Sequence, residues 1–290
     1  DRGVAKADAG AGTSSQAMLA RMASHRCPAP RAIAVLFAVI LACIGCASTI
    51  AMQPQIVLLG EQHDQNDHQR QAAAEVRKLA AAGRLGGVVL EMAERGHATT
   101  GLPAGASEAQ ARAALAWNDR AWPWERYGGI VMAAVAAGVP VYGGNLPGSA
   151  MREAMADAAL DRAIDERARG ILLHAVRDGH CGLLPEAQLP GMLRVQIARD
   201  RAMAQALRDA LAAAGGRQVL LYSGAEHAAR DRGVPLHLQA GGLPGHSMRS
   251  IVYGQGDAAE AFDERRAAIT TLRPDPCEAL RKQLEAKPAR

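Results

Sequence analysis

Five short apolar runs, at residues 55–59, 87–90, 139–142, 218–222 and 248–253, are separated by longer stretches with helical periodicity. Runs of four to six apolar residues, rich in Val, Leu and Ile and bounded by Gly or Pro, read as strands buried on both faces. The intervening segments 69–82, 107–117, 127–137, 151–178 and 192–213 read as helices, and Gly83, Gly138 and Gly215-Gly216 stop three of them. Ser107 with Gln110 offers a capping box. Strands alternating with helices predict an α/β fold, a mainly parallel β-sheet flanked by helices. Residues 151–213 carry no strand signal and are expected to form an inserted helical subdomain.

The strand ends carry the chemistry. Gly60-Glu61-Gln62-His63 follows the first strand and Gly224-Ala225-Glu226-His227 the fourth, while Glu91 follows the second and Asn145 the third. In an open parallel sheet, ligands bind outside the carboxyl ends of the strands, so these groups are expected to share one edge. A lone histidine at a helix start is usually a cap or a solvated side chain, but the repeated motif argues for convergence. His63, Glu91 and His227 are candidate ligands for a divalent transition metal or an iron-bearing cofactor. Glu61, His63, Glu91 and His227 are equally candidate catalytic groups of a hydrolase, with histidine and carboxylate as general base. No HExxH spacing and no serine nucleophile elbow is present. His68 is expected at the surface, and Glu94, Arg95 and His97 on a solvated loop.

Aromatic residues make up 3% of the chain, so Trp122-Pro123-Trp124-Glu125-Arg126-Tyr127 stands out. It either walls a planar ligand or plugs the space between helices and sheet. Any tyrosinate ligand must come from Tyr127, Tyr142, Tyr222 or Tyr253, the only phenols in the chain.

Of the net charge of +4, +3 lies before Cys43 and +1 on the remaining body. A basic stripe for nucleic acid is therefore not supported. Met18 or Met22 is the expected start, followed by Arg21, Arg26 and Arg31 and an apolar run over residues 32–42. That is a secretory pattern, shorter than the roughly 20 apolar residues of a membrane span. Ile40-Leu41-Ala42-Cys43 has the form of a lipobox, with Cys46 as a second candidate, which predicts residues 1–46 as extension and signal and residues 47–290 as the folded domain. The expected location is exported and lipid-anchored to a bacterial membrane through Cys43 or Cys46, on the periplasmic or outer-membrane side. In an oxidising compartment Cys181 and Cys277 are expected to pair.

The two GxxH motifs, Glu91, the Trp124 to Tyr127 spacing, Val141-Tyr142-Gly143-Gly144-Asn145, Gln196-Ile197-Ala198-Arg199-Asp200 with Met203-Ala204, and Gly233-Val234-Pro235 together resemble the ChaN haem-binding lipoproteins of the Tiki superfamily. The resemblance covers about residues 55–253. It implies haem held between protomers, hence a homodimer, through a tyrosine ligand and in support of iron uptake. On that resemblance the cofactor-binding candidates are His63, Glu91, Tyr142, Asn145, Tyr222 and His227. It also implies, through Tiki relatives, a metal-dependent hydrolase built on the paired motifs and acidic residues.

Overall fold

The apolar runs form strands because each is buried on both faces and alternates between two cores. A computed structural model describes residues 53–254, 259–272 and 275–285. The predicted signal segment, with Cys43 and Cys46, lies outside them.

The sheet has six strands: β1 (Ile56–Glu61), β2 (Leu85–Glu94), β3 (Val141–Asn145), β4 (Gln218–Gly224), β5 (Met248–Tyr253) and β6 (Glu264–Arg266), in the order β3-β2-β4-β1-β5-β6. Every named pairing is parallel. Side chains two apart share a face. Val57, Leu59, Leu220 and Tyr222 therefore pack with α1 (Asn66–Ala81), α2 (Glu108–Ala114) and α3 (Trp124–Ala136), burying Val76, Leu79, Ile130 and Val131. Ile56, Leu58, Val219 and Leu221 face the opposite core, built with Met203, Leu207 and Ala210.

Between β3 and β4 the chain makes three α-helices, α4 (Met151–Ala156), α5 (Glu166–Gly179) and α6 (Leu189–Ala213), with a 3-10 turn at Ala158–Arg162. The single helix expected over 151–178 is broken there, where Asp157 and Asp165 each cap a new start with a side-chain oxygen. Helix α6 has two apolar sides. Met203, Ala204 and Leu207 lie against the sheet, whereas Leu193 and Ile197 join Ala154, Leu160 and Leu172 in a core of their own.

After β4 come α7 (Ala225–Ala228) and α8 (Val234–Ala240), and after β6 comes α9 (Pro276–Glu285). Cys181, just beyond α5, is disulfide-bonded to Cys277 in α9, tying the carboxyl-terminal helix to the body. The capping box at Ser107 and Gln110 is formed, and Gly83, at φ +66°, turns the chain out of α1 in the left-handed region where glycine has no Cβ to clash. Among the described residues no helix is long and apolar enough to cross a membrane.

Candidate functional site

β1 and β4 are neighbours in register, with Gly60 opposite Ser223 and Glu61 opposite Gly224. The chain leaves β1 toward α1 on one face and leaves β4 toward α7 and α8 on the other. That divergence makes a crevice at the carboxyl edge, the usual ligand position in such sheets. The two GxxH motifs thus start side by side, and β2, on the other side of β4, adds Glu91. Pairing of β2 with β3 shifts between Leu90 and Glu94, so Glu91 sits in an irregular stretch that aims its side chain at β4.

Two buried carboxylates organise the crevice. Glu61 accepts hydrogen bonds from Tyr222 Oη at 2.5 Å, Tyr127 Oη at 3.1 Å and the Gln69 amide, and binds His63 Nδ1 at 2.8 Å. Glu91 accepts from the Gly224 N–H at 2.7 Å and from Arg199, whose Nε donates to Asn145 Oδ1 at 3.0 Å. Burial alone would push Glu91 up, but the charges of His227 and Arg199 outweigh it and hold this carboxyl below the usual range.

His227 is itself buried between two acids. Its Nδ1 lies 2.6 Å from Asp200 Oδ1 and its Nε2 3.5 Å from Glu91 Oε1. Burial works against the imidazolium, yet Glu91 and Asp200 together raise its pKa to about 9. Asp200 is raised by its own burial, and its Oδ2 finds no partner. His63 differs in being reachable: its side chain is 43% exposed. Burial lowers its pKa, but the hydrogen bond it donates to Glu61 and the nearby carboxylate charges leave it raised. With Nδ1 held by Glu61, Nε2 points toward Glu91, 3.9 Å away, and the ring meets Trp122 edge-on at 4.9 Å.

Beside this cluster lies a cavity of about 290 Å³, lined by Glu91, Met92, Trp122, Asn145, Leu146 and Met151 among others. Trp122 lines it while packing against the core, and Trp124 and Tyr127 of the same segment are core residues, the plug of the two expected roles. Glu61, His63, Glu91, Asn145 and His227 are brought together. Tyr222 lies beneath them, fully buried, as a donor to Glu61. Tyr142 packs away from the cluster, its ring 3.2 Å from where a Cβ on Gly87 would stand and beside the core around Met203. His68, expected at the surface, is buried: α1 begins at Asn66, so the ring folds back in the first turn, accepts the Gln62 N–H at 3.0 Å and lies against Tyr253.

Sequence reasoning gave no role to Gln196, Arg199 and Asp200 individually. Their i, i+3, i+4 spacing puts all three on one face of α6, and that spacing is the available signal. Gln69 and Tyr127, both donors to Glu61, carried no such signal.

No three His, Cys, Asp or Glu side chains among the described residues are grouped to hold a metal ion. Glu91 is occupied by Arg199 and Gly224, and both ring nitrogens of His227 face carboxylates, so His63, Glu91 and His227 are not set as a ligand triad. A flat aromatic ligand fits better, because Trp122, Leu146 and Met151 give the cavity an apolar wall and the half-exposed His63 ring stands against Trp122. At about 290 Å³ the cavity is too small to enclose a porphyrin.

These features define a parallel α/β protein with a histidine–carboxylate crevice at its topological switch point. The family model described as haem-binding uptake, Tiki superfamily, ChaN matches residues 49–238, and the chain belongs to that family. Among solved structures, it is similar to ChaN of Campylobacter jejuni, described with cofacial haem binding, at 22% identity and a TM-score of 0.58, covering 76% of this chain and 86% of that one. An erythromycin esterase, the EreC mutant in its open conformation, aligns at 14% identity, TM-score 0.39 and 72% of each chain. A Bacillus cereus protein aligns at 12% identity and TM-score 0.40, over 71% of this chain and 67% of its own. At that level the last two add nothing to the functional reading. No curated protein matches in sequence.

Proposed function

We propose that this protein is exported, lipid-anchored at Cys43 or Cys46, and binds haem in support of haem or iron uptake. The observation that carries the reading is His63: pinned at Nδ1 by a buried glutamate, it offers Nε2 beside the Trp122 wall. Haem would supply an iron able to take such a nitrogen as a ligand. Glu61 would orient the imidazole and fix its tautomer, while Trp122, Leu146 and Met151 would cover one face of the macrocycle. The second face would be left to solvent or to another copy of the chain, which is the basis for a homodimer. Membership of the family supports the cofactor, and the lipobox supports the anchor. The Cys181–Cys277 disulfide suits an oxidising compartment.

The tyrosine ligand that the resemblance implies has no counterpart at this crevice. Tyr127, Tyr222 and Tyr253 are at most 1% exposed, and no tyrosine lines the cavity. Titration of the purified protein with haem, followed in the Soret region, tests the reading. Saturable binding that survives Tyr142→Phe supports it; loss of binding in that variant would restore the tyrosine.

A hydrolase is the second reading, favoured by one specific feature. A histidine held through Nδ1 by a buried carboxylate, with Nε2 open to the crevice, is the arrangement of a general base. Hydrolysis of an ester by purified protein, abolished by His63→Ala and by Glu61→Gln, would support it. Absence of turnover over a panel of esters would remove it.

A further inference from the structure

A cavity of about 670 Å³ lies on the side of α6 away from the sheet, lined by α4 and the 3-10 turn that follows. It shares only Leu146 with the cavity at the histidine crevice. Four guanidinium groups line it: Arg95 after β2, Arg162 on the 3-10 turn, and Arg201 and Arg208 two turns apart on one face of α6. Among the described residues, the side chains of Arg95, Arg162 and Arg201 make no hydrogen bond or ion pair, and Arg208 is steadied by Gln205 Oε1 at 2.8 Å and the His237 carbonyl at 3.3 Å. Unpaired guanidinium groups converging on a concavity repel one another unless an anion is placed among them.

His237, from α8, lines the same cavity. It is 8% exposed and its Nε2 is buried without a partner. A buried polar atom left unsatisfied is destabilising, so a ligand hydrogen-bonding to it would recover that loss. Burial, with Arg201 and Arg208 nearby, lowers its pKa to about 4, so the ring is neutral and can donate through one nitrogen. Glu153 and Asp157 of the α4 side also line the cavity, among several alanines. They would repel a second acid there and accept hydrogen bonds instead.

We propose that this cavity is a second ligand site, which takes a small organic acid, carboxylate or phosphate, with its anionic head among Arg95, Arg201, Arg208 and His237 and a hydrogen-bond-donating end toward Glu153 and Asp157. The volume suits a metabolite-sized ligand. The site stands independently of haem binding.

Calorimetric titration of the full protein with glucose 6-phosphate, citrate and glucose tests this, the first two separating a phosphate from a carboxylate head. Saturable binding of at least one acid, none of glucose, and a loss of roughly tenfold or more in affinity in Arg95→Gln/Arg201→Gln are expected. Both residues are exposed, so the double variant should fold as the parent does, and its haem titration should be unchanged. The His237 ring resonances should shift on binding. Failure of both acids to bind, binding that the double variant leaves intact, unmoved His237 resonances, or loss of haem binding in that variant would each overturn the proposal.

Discussion

His227 and Asp200 share a hydrogen bond of 2.6 Å with almost no access to water, and Glu91 closes on the other ring nitrogen at 3.5 Å. Such an arrangement is stable only while the ring carries its proton. The folded pKa, about 9, is raised above the ordinary value of 6.5. Its contribution is therefore full below pH 6.5 and is lost as pH rises toward and through 9, by an amount on the order of 3 kcal/mol. Urea unfolding at pH 6 and pH 9.5 measures it; equal midpoints would mean that His227 is neutral when folded.

Arg199 joins Glu91 to Asn145 and so ties β2, β3 and α6 together. Arg199→Ala leaves Glu91 buried with one fewer counter-charge. The expected loss is about 3–5 kcal/mol in denaturant unfolding, with Lys restoring charge but not the two-point geometry. A loss under about 1 kcal/mol would show that Arg199 is not needed to balance the acid.

Gly224 has no side chain because a Cβ there would stand 2.9 Å from His63 Nε2. The Gly224→Ala protein should fold, since the clash is with the end of one side chain, but His63 must swing aside. Haem affinity should fall by roughly tenfold or more while thermal stability changes little. Unaltered affinity would place the ligand away from that nitrogen.

Three of the four phenols are sealed in the core. Tyr127 and Tyr222 are raised by burial and by the Glu61 charge, and Tyr253 is pushed by burial to about 12. Absorbance near 295 nm should therefore show no more than one tyrosine ionising by pH 11 in the folded protein, and all four only on unfolding. Ionisation of two or more before unfolding would return a phenolate to the candidates for iron.

The parallel sheet was legible because each apolar run is short, bounded by Gly or Pro, and buried on both sides; residues 248–253 match β5 in full. Strand β6 was not, since Glu264, Arg265 and Arg266 are charged and half-exposed at the sheet edge, and pairing with β5 alone defines them. The edge cluster was visible in the positions of Glu61, His63, Glu91, Asn145 and His227. Its division of labour was not. Which histidine is enclosed depends on Asp200 and Gln196, which arrive from α6 at a sequence distance of 27 and 31 residues from His227. Burial of Tyr222 follows from β4 being covered on both faces, whereas its hydrogen bond to Glu61 requires knowing that β4 lies beside β1.

The measurement that bears most directly on the proposed function compares haem titrations of the parent protein, His63→Ala and Tyr142→Phe, with absorption spectra of each complex. Saturable binding in the parent and in Tyr142→Phe is expected, with the spectrum altered and affinity reduced by roughly tenfold or more in His63→Ala. Identical spectra and affinity in His63→Ala, or no saturable binding by the parent, would contradict it.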